Sequence, residues 1–77
     1  MAAKGLLRAL GEELRDRRQS KGLSQERLAE RANVHSNYIG LLKRGQRNPT
    51  ILSLESVATA LKARASELLM SVEERLR

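Results

Sequence analysis

Between residues 36 and 44 the chain sets polar and apolar groups at helical spacing in a way that suits a flat, hydrogen-bonding partner. At about 100° per residue, with Ile39 as the inward reference, Leu42 falls beside it. Asn37, Gly40, Leu41 and Arg44 fall on the far side, and Ser36 and Tyr38 on the flanks. Asn37 carries an amide that donates and accepts at once, and can pair bidentately with an adenine edge. Arg44 can reach a phosphate or a guanine, and Leu41, turned from the core, suits a thymine methyl. Gly40 costs about 1 kcal/mol of helix propensity relative to alanine, yet lets another backbone approach closely. The bland alternative is an ordinary surface helix, since lone exposed leucines are common.

Other side chains extend the same chemistry. Gln25 opens the preceding helix, where its amide and nearby backbone N–H groups can donate to a phosphate; simple solvation is the competing role. Tyr38 can rest its ring on the core edge and offer its hydroxyl to a phosphate, or only pack. Arg47 sits in a loop without acids and reads as a phosphate contact. His35 stands where a helix N-cap is needed, which favours a structural role over base reading. Asn48-Pro49 is turn chemistry. What is missing also counts. With no cysteine and one histidine, the chain cannot build a cysteine zinc site or a multi-histidine metal site. No nucleophile is paired with a base, so no catalytic residue, metal or cofactor is expected.

Charge narrows the partner. The 77 residues carry 15 Lys plus Arg against 9 Asp plus Glu, a net charge of +6. Residues 1–22 hold six bases against three acids, and residues 35–49 hold Lys43, Arg44 and Arg47 with no acid, so each segment contributes +3. The remaining segments balance. Positive charge localised in this way suits a polyanion, because each phosphate neutralised releases condensed counterions. Tyr38 is the only aromatic residue. Single-strand and RNA binders stack bases on aromatic platforms, so the expected polyanion is duplex DNA.

The elements that must position these groups are all helical in period. Leu7, Leu10 and Leu14 mark a first helix ending near Ser20, with Gly22 suited to the left-handed position beyond it. Ser24 caps a short helix with inner stripe Leu28, Ala29 and Ala32, and Glu26 lies in its first turn where the helix dipole favours an acid. After a tight break at Asn33-Val34, a second short helix runs from about Ser36 to Arg44 and closes at Gly45. Thr50 caps a fourth helix with inner face Leu54, Val57, Ala58 and Leu61. The last starts near Ala65 and carries Leu68, Leu69, Val72 and Leu76 on one side. Two short helices joined by a tight turn, about residues 24–44, are the mark of a helix-turn-helix, in which the second helix enters the major groove. One all-α domain spanning residues 1–77 is expected.

Gly22-Leu23-Ser24-Gln25-Glu26, Leu28-Ala29, Tyr38-Ile39 and Arg44-Gly45-Gln46-Arg47-Asn48-Pro49-Thr50 together resemble the XRE family of Cro- and phage-repressor-type transcriptional regulators. The resemblance covers roughly residues 8–69. It is closest to the short, single-domain controller proteins of restriction–modification systems, which lack a ligand domain. The resemblance implies a five-helix, lambda-repressor-like DNA-binding domain that acts as a homodimer on a palindromic operator. It maps Gln25 and Tyr38 to backbone contacts, Ser36, Asn37 and Leu41 to base-facing positions, and Arg47 to the loop that follows the backbone. Two residues depart from the pattern. His35 replaces a small cap. Lys43 replaces a glutamate that in the family pairs with an arginine, here Arg18. Two positive charges then face each other unless Lys43 extends to solvent or finds Glu30. The additional base strengthens attraction to phosphate, which makes Lys43 a backbone-contact candidate.

A dimer surface can be read from the chain itself. Leu52 points away from the inward face of its own helix, and the last helix runs to Leu76, further than a minimal core needs. Exposed apolar residues on a small domain mark partner surfaces, and two-fold dimers are the commonest assembly. The expected interface is Leu52, Leu69, Val72 and Leu76, with Met70 joining it or filling a gap. The expected protein is therefore a dimeric regulator with no small-molecule effector. The alternative is an antitoxin or adaptor that uses the same helices to bind protein. No apolar run reaches the roughly 20 residues of a membrane span and no signal-peptide core is present, so a cytoplasmic location is expected.

Overall fold

The structure, a computed structural model, describes residues 3–77. It contains five helices: α1 (Ala3–Ser20), α2 (Gln25–Ala32), α3 (Ser36–Lys43), α4 (Ile51–Ala60) and α5 (Ala65–Arg75). Among the described residues there is no strand, and no helix is long and apolar enough to cross a membrane.

Local chemistry accounts for the boundaries. Ser24 and Thr50 cap α2 and α4 by accepting the backbone N–H groups of Arg27 and Ser53, each at 3.1 Å. Such caps satisfy donors that a helix start leaves unpaired. His35 caps α3 in the same way, its Nδ1 accepting the Asn37 N–H at 3.1 Å. The imidazole thus does the work of the smaller residue it replaces. Gly22 lies at φ +67° just past α1, and Asn33 at φ 58° ends α2. The break between α2 and α3 is therefore a left-handed turn that asparagine tolerates. Arg44 is the C-cap of α3 rather than its last helical residue.

The core is aliphatic. α1 packs against α3 and α5, α2 against α3 and α4, and α4 against α5. Leu28, Leu42, Val57, Leu61, Leu68 and Val72 are the largest fully enclosed side chains. α1 meets the end of α3 at unusually short range. A Cβ on Gly11 would stand 2.5 Å from the carbonyl oxygens of both Leu42 and Lys43. Just beyond, Gly45 lies at φ +69°, and a Cβ there would be 3.0 Å from the Arg8 Cα. Only hydrogen at these two positions lets α1 lie directly across the C-terminal end of α3.

The far end of α1 is held by ions. Glu13 is 8% exposed; it accepts Arg17 Nε at 2.6 Å and Arg75 Nε at 2.9 Å. Arg75 also donates to Asp16 at 2.6 Å, and Arg17 to the Ser71 hydroxyl at 3.1 Å. Burial pushes the Glu13 carboxyl up, but the hydrogen bonds and charges of Arg17 and Arg75 more than offset this and hold it below its ordinary value. The Arg75 hydrogen bond holds Asp16 below its ordinary value too.

These contacts correct two expectations about α5. Val72, expected at a dimer surface, is fully enclosed within the chain's own core at 0% exposure. Leu76 is half-buried and packs against the same core. The length of α5 serves α1: the two helices pack together and Arg75 ties the end of α5 to Glu13 and Asp16, so neither Val72 nor the inner side of Leu76 is offered outward.

Candidate nucleic-acid interface

α2 fixes the attitude of α3. Leu28, Ala29 and Ala32 from α2 and Ile39 and Leu42 from α3 are buried together in the core. A second tie crosses at the surface, where Gln25 Nε2 donates to the Ser36 carbonyl at 3.2 Å. The Gln25 amide lies over Gly40, whose hypothetical Cβ would be 3.1 Å from Nε2. Gly40 is thus buried beneath a side chain of α2, and not open on the outward face as the helical period alone suggests. The close approach expected there is made by Gln25, not by a foreign backbone.

With Gly40 as its floor, one shallow groove is lined by Gln25, Asn37, Gly40, Leu41 and Arg44. Asn37 and Arg44 are exposed, and Leu41, Ser36 and Gln25 are half-buried. Asn37 and Leu41 are not packed inside the chain, although Ile39 and Leu42 on the same helix are 4% and 2% exposed. The groove presents a free amide, an aliphatic edge and a guanidinium side by side.

Tyr38 borders this face. Its hydroxyl hydrogen-bonds to Ser53 Oγ on α4 at 2.5 Å, and Ser53 Oγ donates in turn to the Thr50 carbonyl at 3.2 Å. The serine proton is thereby used, so the phenol donates to the serine and its proton is engaged within the protein. The ring supports Arg47, whose guanidinium carbon stands 5.4 Å from the ring centroid. A cation held over an aromatic face in this way gains about 0.5–1 kcal/mol at an exposed site, and the loop arginine is set beside α3.

Lys43 is exposed, and no acid among the described residues lies within ion-pair distance of it. Glu30 faces Arg27 instead, at 3.7 Å. Arg18 answers the missing partner by donating Nη1 to the Leu23 carbonyl at 2.7 Å, which pins the end of α1 to the turn before α2. Lys43 therefore takes the solvent-extended alternative. Of the expected apolar surface, Leu52 is 75% and Leu69 40% exposed. Ile51 and Met70, at 77% and 66%, stand beside them in sequence. Ile51 was missed because a first-turn residue falls outside the apolar stripe of its helix.

Two short helices locked at a fixed angle, the second offering an open polar groove beside unpaired bases, form a helix-turn-helix. A family model described as helix-turn-helix matches residues 14–68. The control protein C.SmaI of Serratia marcescens is 42% identical over 60 residues, covering 78% of this chain and 71% of that protein. The uncharacterized HTH-type transcriptional regulator y4dJ of Sinorhizobium fredii is 39% identical over 57 residues, 74% of each chain. The crystal structure of the restriction-modification controller protein C.AhdI from Aeromonas hydrophila matches with a TM-score of 0.79 at 42% identity. That match covers 80% of this chain and 94% of the other. The chain belongs to the helix-turn-helix family of DNA-binding transcriptional regulators.

Proposed function

We propose that this regulator acts as a homodimer on a palindromic operator, with one α3 in each of two successive major grooves. The observation that carries this reading is the groove on α3: Asn37, Leu41 and Arg44 stand uncovered on a helix whose opposite side is the centre of the core. Asn37 reads an adenine edge and Leu41 a thymine methyl, with Ser36 on the flank of the same face. Gln25, Lys43 and Arg47 engage phosphates, which position the helix without carrying sequence information. Tyr38, expected as a phosphate donor, instead gives its proton to Ser53 and serves the contact by supporting Arg47. Exposed Leu52, joined by Ile51, Leu69 and Met70, supports a two-fold contact between copies.

The likeness to relatives named control proteins, and to a solved restriction-modification controller protein, supports that setting for this chain, in the cytoplasm and without a small-molecule effector. Regulation then follows protein concentration through dimerisation and operator occupancy. Footprinting on the duplex upstream of its own gene tests the proposal. The expected result is one protected, two-fold symmetric site occupied by two chains. Equal affinity for that duplex and for random sequence, or occupancy by a single chain, would overturn it.

A further inference from the structure

A second concavity opens beside the groove on α3, between the start of α1 and the turn after α3. It is lined by Gly5, Arg8, Arg44, Gly45 and Gln46. Arg44 lines both concavities, so they are neighbours on the surface. The two glycines leave the cleft open at its walls, and every other lining group can donate. Arg44 Nε donates to Gln46 Oε1 at 3.1 Å. That bond turns the Gln46 amide so that its Nε2 remains available as a donor. The Arg44 terminal nitrogens also remain, one of them lying near Gly40. Arg8 is exposed, and among the described residues no acid is within ion-pair distance of it. Glu12, one helical turn along α1, is drawn toward Arg75 at 3.7 Å. Two guanidiniums and an amide, with no carboxylate in the cleft, are held together by the same close crossing of α1 over α3 that Gly11 and Gly45 permit.

We propose that this cleft is a phosphate site in which Arg8 and Arg44 together grip one backbone phosphate of the bound duplex, so that α1 clamps the DNA beside the helix-turn-helix. The inference rests on the proposed duplex-binding reading and extends it. Around α3, Arg44 and Tyr38 lie about 120° apart at 100° per residue, with Asn37 and Leu41 between them. Phosphate contacts from Arg8 and Arg44 on one flank, and from Arg47 over Tyr38 on the other, would bracket the base-reading residues. The assignment also decides between the two partners open to Arg44: it is a phosphate ligand, not a guanine reader. Guanidinium is suited to this because its planar fork matches phosphate oxygens bidentately.

The test compares Arg8→Ala, Arg8→Lys, Arg44→Ala and a control, Arg31→Ala, which removes a base beside Glu55 on the α2–α4 side. Binding is measured over a salt series on the footprinted duplex and on random sequence, with phosphate-ethylation interference on the former. Arg8→Ala is expected to weaken both duplexes on the order of tenfold, as for loss of a charge-assisted hydrogen bond, and to lower the salt slope by about 0.9. One ethylated phosphate per bound chain should cease to interfere, and the same one in Arg44→Ala, while Arg8→Lys keeps most of the slope. Unchanged melting temperatures confirm that the variants remain folded. If Arg8→Ala behaves as Arg31→Ala does, or Arg44→Ala alters base preference with every phosphate contact intact, the site is wrong while the proposed function stands. If the wild-type chain binds no duplex at all, the proposed function fails first and this site with it.

Discussion

Gly11→Ala probes the crossing on which both concavities depend. An added methyl would sit 2.5 Å from two backbone carbonyl oxygens and 2.9 Å from a carbonyl carbon. Ordinary contact lies beyond about 3.4 Å, the scale of carbon–carbon van der Waals separation. α1 and α3 must then part by close to an ångström, since carbonyls at a helix end cannot turn away singly. Overpacking a core typically costs about 1–3 kcal/mol, and occasionally more. A double backbone clash belongs at the upper end. Alanine returns about 1 kcal/mol of helix propensity, which leaves a net loss of about 2 kcal/mol. For a domain of this size that lowers Tm by roughly 8–16 °C. Gly5→Ala is the internal control, because a Cβ there meets nothing within 4 Å on the same helix. Thermal melts followed by circular dichroism should show Gly5→Ala at or above wild type and Gly11→Ala well below it. A Gly11→Ala protein as stable as wild type would refute the close crossing, and with it the placement of Arg8 beside Arg44.

Three further outcomes follow from other parts of the fold. Glu13→Gln should cost about 2 kcal/mol at neutral pH, because Arg17 and Arg75 lose a shared and largely enclosed partner. The Glu13 carboxyl is held below its ordinary value in the folded chain, so its contribution is complete above the unfolded value near about 4.3 and disappears as pH falls through the folded one. Urea titrations should therefore show the wild-type advantage over Glu13→Gln constant above about pH 5 and shrinking below it. Lys43→Glu should raise stability by about 0.5–1 kcal/mol, the range for a partly exposed ion pair, by giving Arg18 a carboxylate across the small gap both residues line. The same change should weaken DNA binding, and a joint gain or joint loss in the two assays would count against the reading of Lys43. Leu52→Asp should leave monomer stability within about 0.5 kcal/mol, because the side chain is exposed. Sedimentation should nonetheless shift toward single chains, and an unaltered dimer would remove Leu52 from the interface.

What the chain declares locally it declares well. Ser24, His35 and Thr50 could be recognised as caps because the donors they satisfy are two or three residues away. The stripes of α2 and α4 are legible because an amphipathic period states which residues share a face. The same period is silent about what that face meets. Val72 and Leu69 read alike as outer residues of α5, but the core encloses the first and leaves the second 40% exposed. Gly40 was misplaced for a related reason: the wheel of α3 contains no information that Gln25 would reach across from α2. The Arg75–Glu13 bond joins residues 62 apart and becomes visible only when α5 is laid on α1. Gly11 carried no local signal of its tight contact, since a glycine inside a helix looks like a mere loss of propensity. Arg8 contributed to the charge count of the first segment, but its place in one cleft with Arg44 is a product of tertiary packing.

Asn37→Ala asks whether the uncovered side of α3 reads bases. Affinities of wild type and variant would be measured on the footprinted duplex, on each single-base-pair substitution of it, and on random sequence. Loss of the amide should cost about 1–3 kcal/mol on the native site, remove discrimination at one base pair in each half-site, and leave binding to random sequence unchanged. If Asn37→Ala instead lost affinity equally on all of these duplexes, α3 would be holding DNA without reading it.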